Sequence, residues 1–207
     1  MDKTITEDEA IELLEKQFEK FRPDWKDEIL KHSIIVRDLS LFLADRIKEK
    51  IDIDFLKSAC ILHDIGYATA KEKIRHGVVG ADFLRLQGLG RYAKCCARHI
   101  GIGITKDEAL KLGLSDKELI PKTIEEKILC YCDNLDFFDK ETKMHTIKSS
   151  DAVAEKFGKE LGPEYKIKTE KFNRMIEDKV GKDGMCAFLR SIDKYNQKLR
   201  IGSELNP

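Results

Sequence analysis

An all-helical fold is what this sequence predicts, on three observations. Apolar residues recur with the spacing of a helix face along nearly the whole chain, helix-start signatures recur at intervals, and neither a strand-like run nor an Asn-Gly hairpin signal occurs. Thr6 and Glu9 have the spacing of a capping box, in which each side chain satisfies a free backbone N–H at a helix start. They open a first helix over about 7–20, which stops before Arg22-Pro23 because the residue preceding a proline avoids the helical region. A second helix is expected over 27–48, with Ile29, Ile35, Val36, Leu39, Leu43 and Ile47 on one face and His32 on that same face. A third begins near Asp54, carries Phe55, Ala59 and Leu62 into His63-Asp64, and ends at Gly66.

The stretch 67–75 is short, polar and basic, and reads as a loop. A fourth helix follows His76 and closes at Gln87-Gly88, where glycine suits a left-handed cap. A fifth covers 91–99, with Tyr92, Cys95 or Cys96, and His99 on one face, and runs into the glycine-punctuated His99-Ile100-Gly101-Ile102-Gly103. Capping-box spacing recurs at Thr105–Glu108, Ser115–Glu118 and Thr123–Glu126, the last opening a helix over 124–137 that contains Asp133. After His145 lysine and glutamate dominate, and two or three further helices are expected, the last over 185–199 with Phe188, Leu189, Ile192 and Tyr195 on its apolar side. The organisation expected is a helical domain over 1–145 with a helical extension over 146–207.

Composition narrows the partners. The 207 residues are 42% hydrophobic, enough for a core, and the 38 Lys plus Arg balance the 38 Asp plus Glu to zero net charge. A chain that binds bulk nucleic acid ordinarily carries a basic excess, so a small phosphorylated substrate is favoured over a polynucleotide. The opening MDKTITEDEA has no apolar leader core, and no stretch approaches the roughly 20 apolar residues that span a bilayer. No membrane association and a cytoplasmic location are therefore expected; the oligomeric state is not legible. Cys60, Cys95, Cys96, Cys130, Cys132 and Cys186 form no Cys-x-x-Cys pair and read as reduced, buried thiols.

Four of the five histidines sit at helix positions with apolar neighbours. Each alone has an ordinary explanation: a hydrogen-bonded core residue, or, for His63 and His99, an imidazole at a helix C-terminus. The combination points further. Asp64 follows His63 at the end of an apolar helix, where burying a carboxylate without a cation costs several kcal/mol. Neutral imidazole and ionised carboxylate are natural ligands of a divalent transition ion, and adjacent helical residues, about 100° apart, approach it along two vectors.

The order His32, then His63-Asp64, then Asp133 resembles the HD-domain superfamily of metal-dependent phosphohydrolases. His63-Asp64-Ile65-Gly66 reproduces its HDIG variant, and Arg75-His76-Gly77-Val78-Val79-Gly80-Ala81 and Arg98-His99-Ile100-Gly101 are similar to the two further histidine motifs of that branch. The likeness covers about 26–140 and looks closest to small stand-alone HDIG proteins of archaeal type, a group similar to the dihydroneopterin 2′,3′-cyclic phosphate phosphodiesterases. It implies that His32, His63, Asp64 and Asp133 hold one metal, that His76 and His99 hold a second, and that Asp64 bridges the two. His63 and Asp64 would then be the catalytic pair, and a hydroxide shared by the ions would attack phosphorus. Fe(II) or Mn(II) is the expected pair of divalent ions, with Zn(II), Co(II) and Ni(II) as further candidates. A 2′,3′-cyclic phosphodiester of a nucleotide-like molecule is the most specific substrate the resemblance implies.

One departure stands out. Many HDIG proteins place a lysine directly after the glycine, and here that residue is Tyr67, which brings no positive charge. Lys71, Lys73 or Arg75 in the following loop could supply it, and Lys71 and Arg75 are taken as the substrate-binding candidates. Asp136, one turn beyond Asp133, is expected to cap the helix or face solvent, and His145, outside every motif, to lie at the surface. Two rival readings share the ligand set: a di-iron HD-fold oxygenase, distinguished by an oxygen requirement and a mixed-valence signal, and a non-catalytic metal-bound nucleotide sensor.

Overall fold

A computed structural model of the chain describes residues 2–204, the last four by backbone alone. Its elements in order are α1 (Glu7–Phe21), α2 (Lys26–Ala44), α3 (Ile53–Leu62), α4 (His76–Leu86), α5 (Gly90–Arg98), α6 (Lys106–Lys111) and α7 (Ile124–Leu135). A hairpin of β1 (Asp136–Asp139) and β2 (Met144–Ile147) follows, then α8 (Ser150–Leu161) and α9 (Pro163–Glu204), and short 3₁₀ turns occupy Pro23–Trp25, Ile65–Ala68 and Lys73–Arg75. The architecture is all-α, as the periodicity predicts. Among the described residues no helix is long and apolar enough to cross a membrane.

The helix starts are built by side chains. Thr6 and Thr105 each accept from the backbone N–H three residues on, while Glu9 and Glu108 reach back to the cap, completing both boxes. Asp52, Thr123 and Ser149 cap α3, α7 and α8 by accepting from Phe55, Glu126 and Ala152 N–H groups. At Thr123 the box is only half formed, because the Glu126 carboxylate accepts instead from the Lys122 N–H and the Arg98 guanidinium. Ser115–Glu118 has the spacing without the helix. Backbone pairing of Ile104 with Leu119 draws that segment extended, and Ser115 Oγ accepts from Lys117 N–H in a local turn.

The core lies where α1, α2, α3, α5 and α7 meet, around the buried Leu14, Phe18, Ile35, Leu43, Leu56, Ile61, Tyr92 and Leu129. Removing each such side chain from water contributes about 1.5–3 kcal/mol. Helix α4 crosses the turn after α3 with almost no space between the backbones. A Cβ on Gly66 would stand 1.9 Å from His76 O and 2.5 Å from Gly80 N, and one on Gly80 would stand 2.5 Å from Cys96 Sγ. Glycine at 66 and 80 is therefore what lets the start of α4 lie against the His63-Asp64 turn.

Several sequence expectations are corrected. Helix α2 ends at Ala44, not near residue 48. The expected terminal helix is part of α9, which begins at Pro163 and is interrupted only where Gly181 adopts φ 76°, ψ 164°. Along it Phe188 and Ile192 are buried, but Leu189 is exposed. Five cysteines are buried thiols, whereas Cys186 is exposed. Strands were not expected, yet β1 and β2 pair antiparallel with Phe138 opposite His145. Helix α9 braces this hairpin: Asn196 Nδ2 donates to Ile147 O at 2.9 Å and its Oδ1 accepts from Ile147 N at 2.8 Å. It also reaches α2, where Tyr195 Oη donates to Asp38 at 3.0 Å.

Candidate metal centre

Five elements deliver the expected ligands to one place. His32 projects from the first half of α2; His63 caps the C-terminus of α3, and Asp64 follows it into the 3₁₀ turn; His76 is the first residue of α4; His99 caps α5; and Asp133 lies in the last turn of α7. The loop after His99 is tied to α7, since Asn134 Nδ2 and Cys130 Sγ both donate to Gly101 O, at 2.5 and 3.0 Å. That tie brings the ends of α5 and α7 together.

Asp64 organises the cluster. Its Oδ1 faces His76 Nε2 at 3.1 Å and His99 Nε2 at 3.2 Å, while its Oδ2 faces His32 Nε2 at 3.5 Å and His63 Nε2 at 3.6 Å. Asp133 Oδ1 joins the second group, 3.0 Å from His32 Nε2 and 3.5 Å from His63 Nε2. One carboxylate thus separates two donor sets: His76 with His99, and His32 with His63 and Asp133. His63, Asp64, His76 and His99 are buried, and His32 and Asp133 are half-buried.

The ring tautomers follow from the partners. His63 Nδ1 lies 2.7 Å from Cys60 O, His76 Nδ1 2.5 Å from Lys73 O, and His99 Nδ1 2.8 Å from Cys96 O. A carbonyl only accepts, so each Nδ1 carries the proton and each neutral ring presents an Nε2 lone pair to the cluster. Those lone pairs face one another, His76 Nε2 to His99 Nε2 at 2.8 Å and His32 Nε2 to His63 Nε2 at 3.2 Å, with carboxylate oxygens beside them. Converging acceptors without donors repel, and divalent cations satisfy them; the donor set fits two such ions with nitrogen and oxygen ligands.

Electrostatics carry the same imprint. Burial alone would raise the Asp64 pKa, yet His63, His76 and His99 hold it well below the carboxylate range. Asp133 is likewise held low against burial, by His32 and His63. Burial works against a proton on His32 or His63, but the adjacent aspartates outweigh it and raise both. Burial lowers His99, with the neighbouring His76 and His63 in the same direction.

Two residues read from sequence as peripheral belong here. Asp136 takes the C-cap of α7 but does not face solvent: its side chain is fully buried, and Oδ2 accepts from His32 Nδ1 at 2.8 Å and from His145 Nδ1 at 2.7 Å. His145 is not a surface residue either. It is buried against Phe138, and its Nε2 stands 2.5 Å from Glu28 Oε1. Burial alone would lower the His145 pKa, but Asp136 and Glu28, on either side of the ring, raise it. His32, Asp136 and His145 are close enough to be taken for a third cation site. Their geometry assigns that space to protons, because both Nδ1–H groups donate to one oxygen. A carboxylate on the far nitrogen of a ligating histidine fixes the ring and raises its basicity.

The cluster forms the floor of a pocket of about 610 Å³, whose walls include Trp25, Tyr67, Lys73, Phe138, Lys140 and Lys143. Tyr67 stacks flat on His76, centroids 3.9 Å apart and rings 6° from parallel. Lys71 is exposed and does not line this pocket, and Arg75 Nη1 donates to Gly113 O at 2.8 Å.

Four imidazoles and two aspartates, four of the six buried and two half-buried, converge on a helical scaffold as a donor set that could hold divalent metal. The HD domain family model matches residues 29–137, and the chain belongs to the HD-domain family, in general one of metal-dependent hydrolases. An uncharacterized protein of Methanocaldococcus jannaschii is 40% identical over 140 residues, covering 66% of this chain and 79% of the relative. Two proteins named tRNA (cytidine(56)-2′-O)-methyltransferase are also similar. That of Thermoplasma volcanium is 39% identical over 58% of this chain, and that of Picrophilus torridus 38% identical over 55%. The match spans only 35% and 33% of their respective lengths. No solved structure matches the chain at a significant level.

Proposed function

We propose that the chain is a two-metal phosphohydrolase acting on a phosphoester of a small nucleotide-like molecule. The observation that carries this reading is the division of four Nε2 atoms into two pairs by the two oxygens of Asp64. His32, His63, Asp64 and Asp133 would hold one ion, and Asp64, His76 and His99 the other. When bound, such a pair of ions acidifies a shared water and neutralises charge on phosphoryl oxygens. The mixed imidazole and carboxylate donors suit Fe(II) or Mn(II) better than magnesium.

The chain's own residues do the rest. The local carbonyl acceptors on His63, His76 and His99 keep three rings in the Nδ1–H tautomer, so no reorientation accompanies binding. Asp136 does this for His32. Tyr67, stacked on His76, fixes that ring and gives the pocket a flat apolar wall where many relatives place a charge. The preferred substrate on this reading is a 2′,3′-cyclic phosphodiester.

The test is hydrolysis by anaerobically purified, metal-reconstituted protein of a panel of phosphomonoesters and 2′,3′-cyclic nucleotides, with Asp64→Ala beside wild type. The expected result is phosphoester cleavage without oxygen, abolished in Asp64→Ala while its circular dichroism spectrum is retained. Activity untouched by Asp64→Ala would overturn the assignment. Turnover that requires oxygen, with a mixed-valence iron signal, would identify an oxygenase instead.

A further inference from the structure

Three lysines line the pocket above the histidine and aspartate cluster, and none of them is ion-paired among the described residues. Lys73 comes from the 3₁₀ turn directly before His76, and Lys140 and Lys143 from the turn joining β1 to β2. The hairpin brings its tip across to the Lys73 loop, so the Lys73 and Lys140 side chains meet end to end. The side-chain contact with Lys140 lowers the Lys73 pKa most, with burial and then charge repulsion in the same direction. None of the three lysines makes an ion pair with a carboxylate among the described residues. Elsewhere on the surface, lysines such as Lys26, Lys57, Lys122, Lys166 and Lys179 do find one.

The acidic groups that line the pocket come from other segments of the chain, Asp64, Asp133 and Asp136 from the cluster and its support. Asp24 and Glu28 come from the turn and helix start at 23–28, and Glu28 is engaged by His145. Like charges repel at close range, and these side chains have water on the open side into which they could diverge. A fold that brings two ammonium groups together beside a metal floor, with a third on the same turn, is built for an anion between them. Two rotatable, strongly hydrated ammonium groups suit the spread charge of a phosphate.

We infer that Lys73, Lys140 and Lys143 form a second anion subsite, so that the substrate carries a phosphate besides the one hydrolysed at the metals. This rests on the phosphohydrolase reading for the role of the floor, but not for the existence of the subsite. The floor engages the scissile phosphoryl group; the lysine wall engages the other phosphate and orients the molecule between them. The substrate class is a small doubly phosphorylated molecule, for example a cyclic phosphodiester that also bears a terminal phosphate. A simple cyclic monophosphate would leave the lysine wall unused.

The test is equilibrium dialysis of radiolabelled inorganic phosphate against the metal-loaded full chain. Wild type, Lys73→Gln/Lys140→Gln and Asp64→Asn are compared, with circular dichroism to verify folding. Wild type is expected to bind about two phosphates per chain, one at the metals and one at the lysines. The double lysine variant should retain only the metal-held phosphate, and Asp64→Asn only the lysine-held one, which should weaken as salt is raised. Unchanged binding by the double lysine variant would overturn the subsite. So would one phosphate per wild-type chain weakened by either variant, because the lysines would then serve the metal-held phosphate. If Asp64→Asn binds as many phosphates as wild type while the lysine variant loses one, the subsite stands and the phosphohydrolase reading falls.

Discussion

Gly66→Ala places a methyl group where the fold has no room for one. The new Cβ would stand 1.9 Å from His76 O and 2.9 Å from Gly80 Cα, both backbone atoms of α4 that no rotamer change can move aside. Opening the first contact toward the roughly 3.5 Å of an ordinary carbon contact displaces the start of α4 by about 1.5 Å. His76 is the first residue of that helix, with Nε2 3.1 Å from Asp64 Oδ1, so the displacement acts directly on one donor set. Metal sites tolerate about 0.2 Å in ligand position, so the His76–His99 ion should be lost while the His32–His63–Asp133 ion persists. Overpacking of this kind costs about 1–3 kcal/mol, which for a chain of this size lowers the melting temperature by about 2–12 °C. Elemental analysis and calorimetry on folded Gly66→Ala protein read both quantities. A variant that keeps the wild-type metal content and melting temperature would refute the claim that close backbone approach at Gly66 positions His76.

Other outcomes follow from the same geometry. Asp136→Asn removes no proposed ligand but takes the charge from the group that holds His32. Metal affinity should fall about 10–100-fold with full stoichiometry at saturation, read by competition with a chelator; unchanged affinity would assign Asp136 a packing role only. The raised His32 and His63 pKa values set a pH dependence in the metal-free chain. Their protonated forms contribute stability that is fully present below the ordinary value near 6.5 and is lost as pH rises through the raised folded values. Asp64 and Asp133 remain ionised across that window, since theirs are depressed. The rise in melting temperature on adding metal should therefore be larger at pH 8 than at pH 6, and a smaller rise at pH 8 would contradict the sign.

Much of the fold was legible because local signals and tertiary packing agree. The Thr6 and Thr105 boxes start helices as their spacing predicts, and the apolar stripe of α2 faces the core with His32 beside it. The Ser115 box failed because it competes with backbone pairing of Ile104 and Leu119, a contact between separated segments that no short window contains. The hairpin is not legible in the sequence for a similar reason. Asp-Phe-Phe-Asp and Met-His-Thr-Ile carry no Asn-Gly turn between them, and the turn is closed by Lys143 at φ 53°, a conformation rarely given to lysine.

The same hairpin also shapes the site. Without β1 and β2 there is nothing to bury His145 or to turn Asp136 toward His32, so both read as surface residues. The one signal in the sequence is spacing: Asp136 follows Asp133 by three residues, about one helical turn. Lys140 and Lys143 reach the pocket wall only through the same hairpin, so the sequence points to Lys71 and Arg75 instead. His32, His63, Asp64, His76, His99 and Asp133 were singled out because their motifs stand in family order on helix faces and helix ends. Five elements bring those six residues together.

The most direct measurement is metal content by elemental analysis of anaerobically purified protein, wild type beside His76→Ala. The two-metal account predicts near two iron or manganese atoms per chain, falling to about one in the variant. One metal or none in wild type, with no recovery on reconstitution, would contradict it.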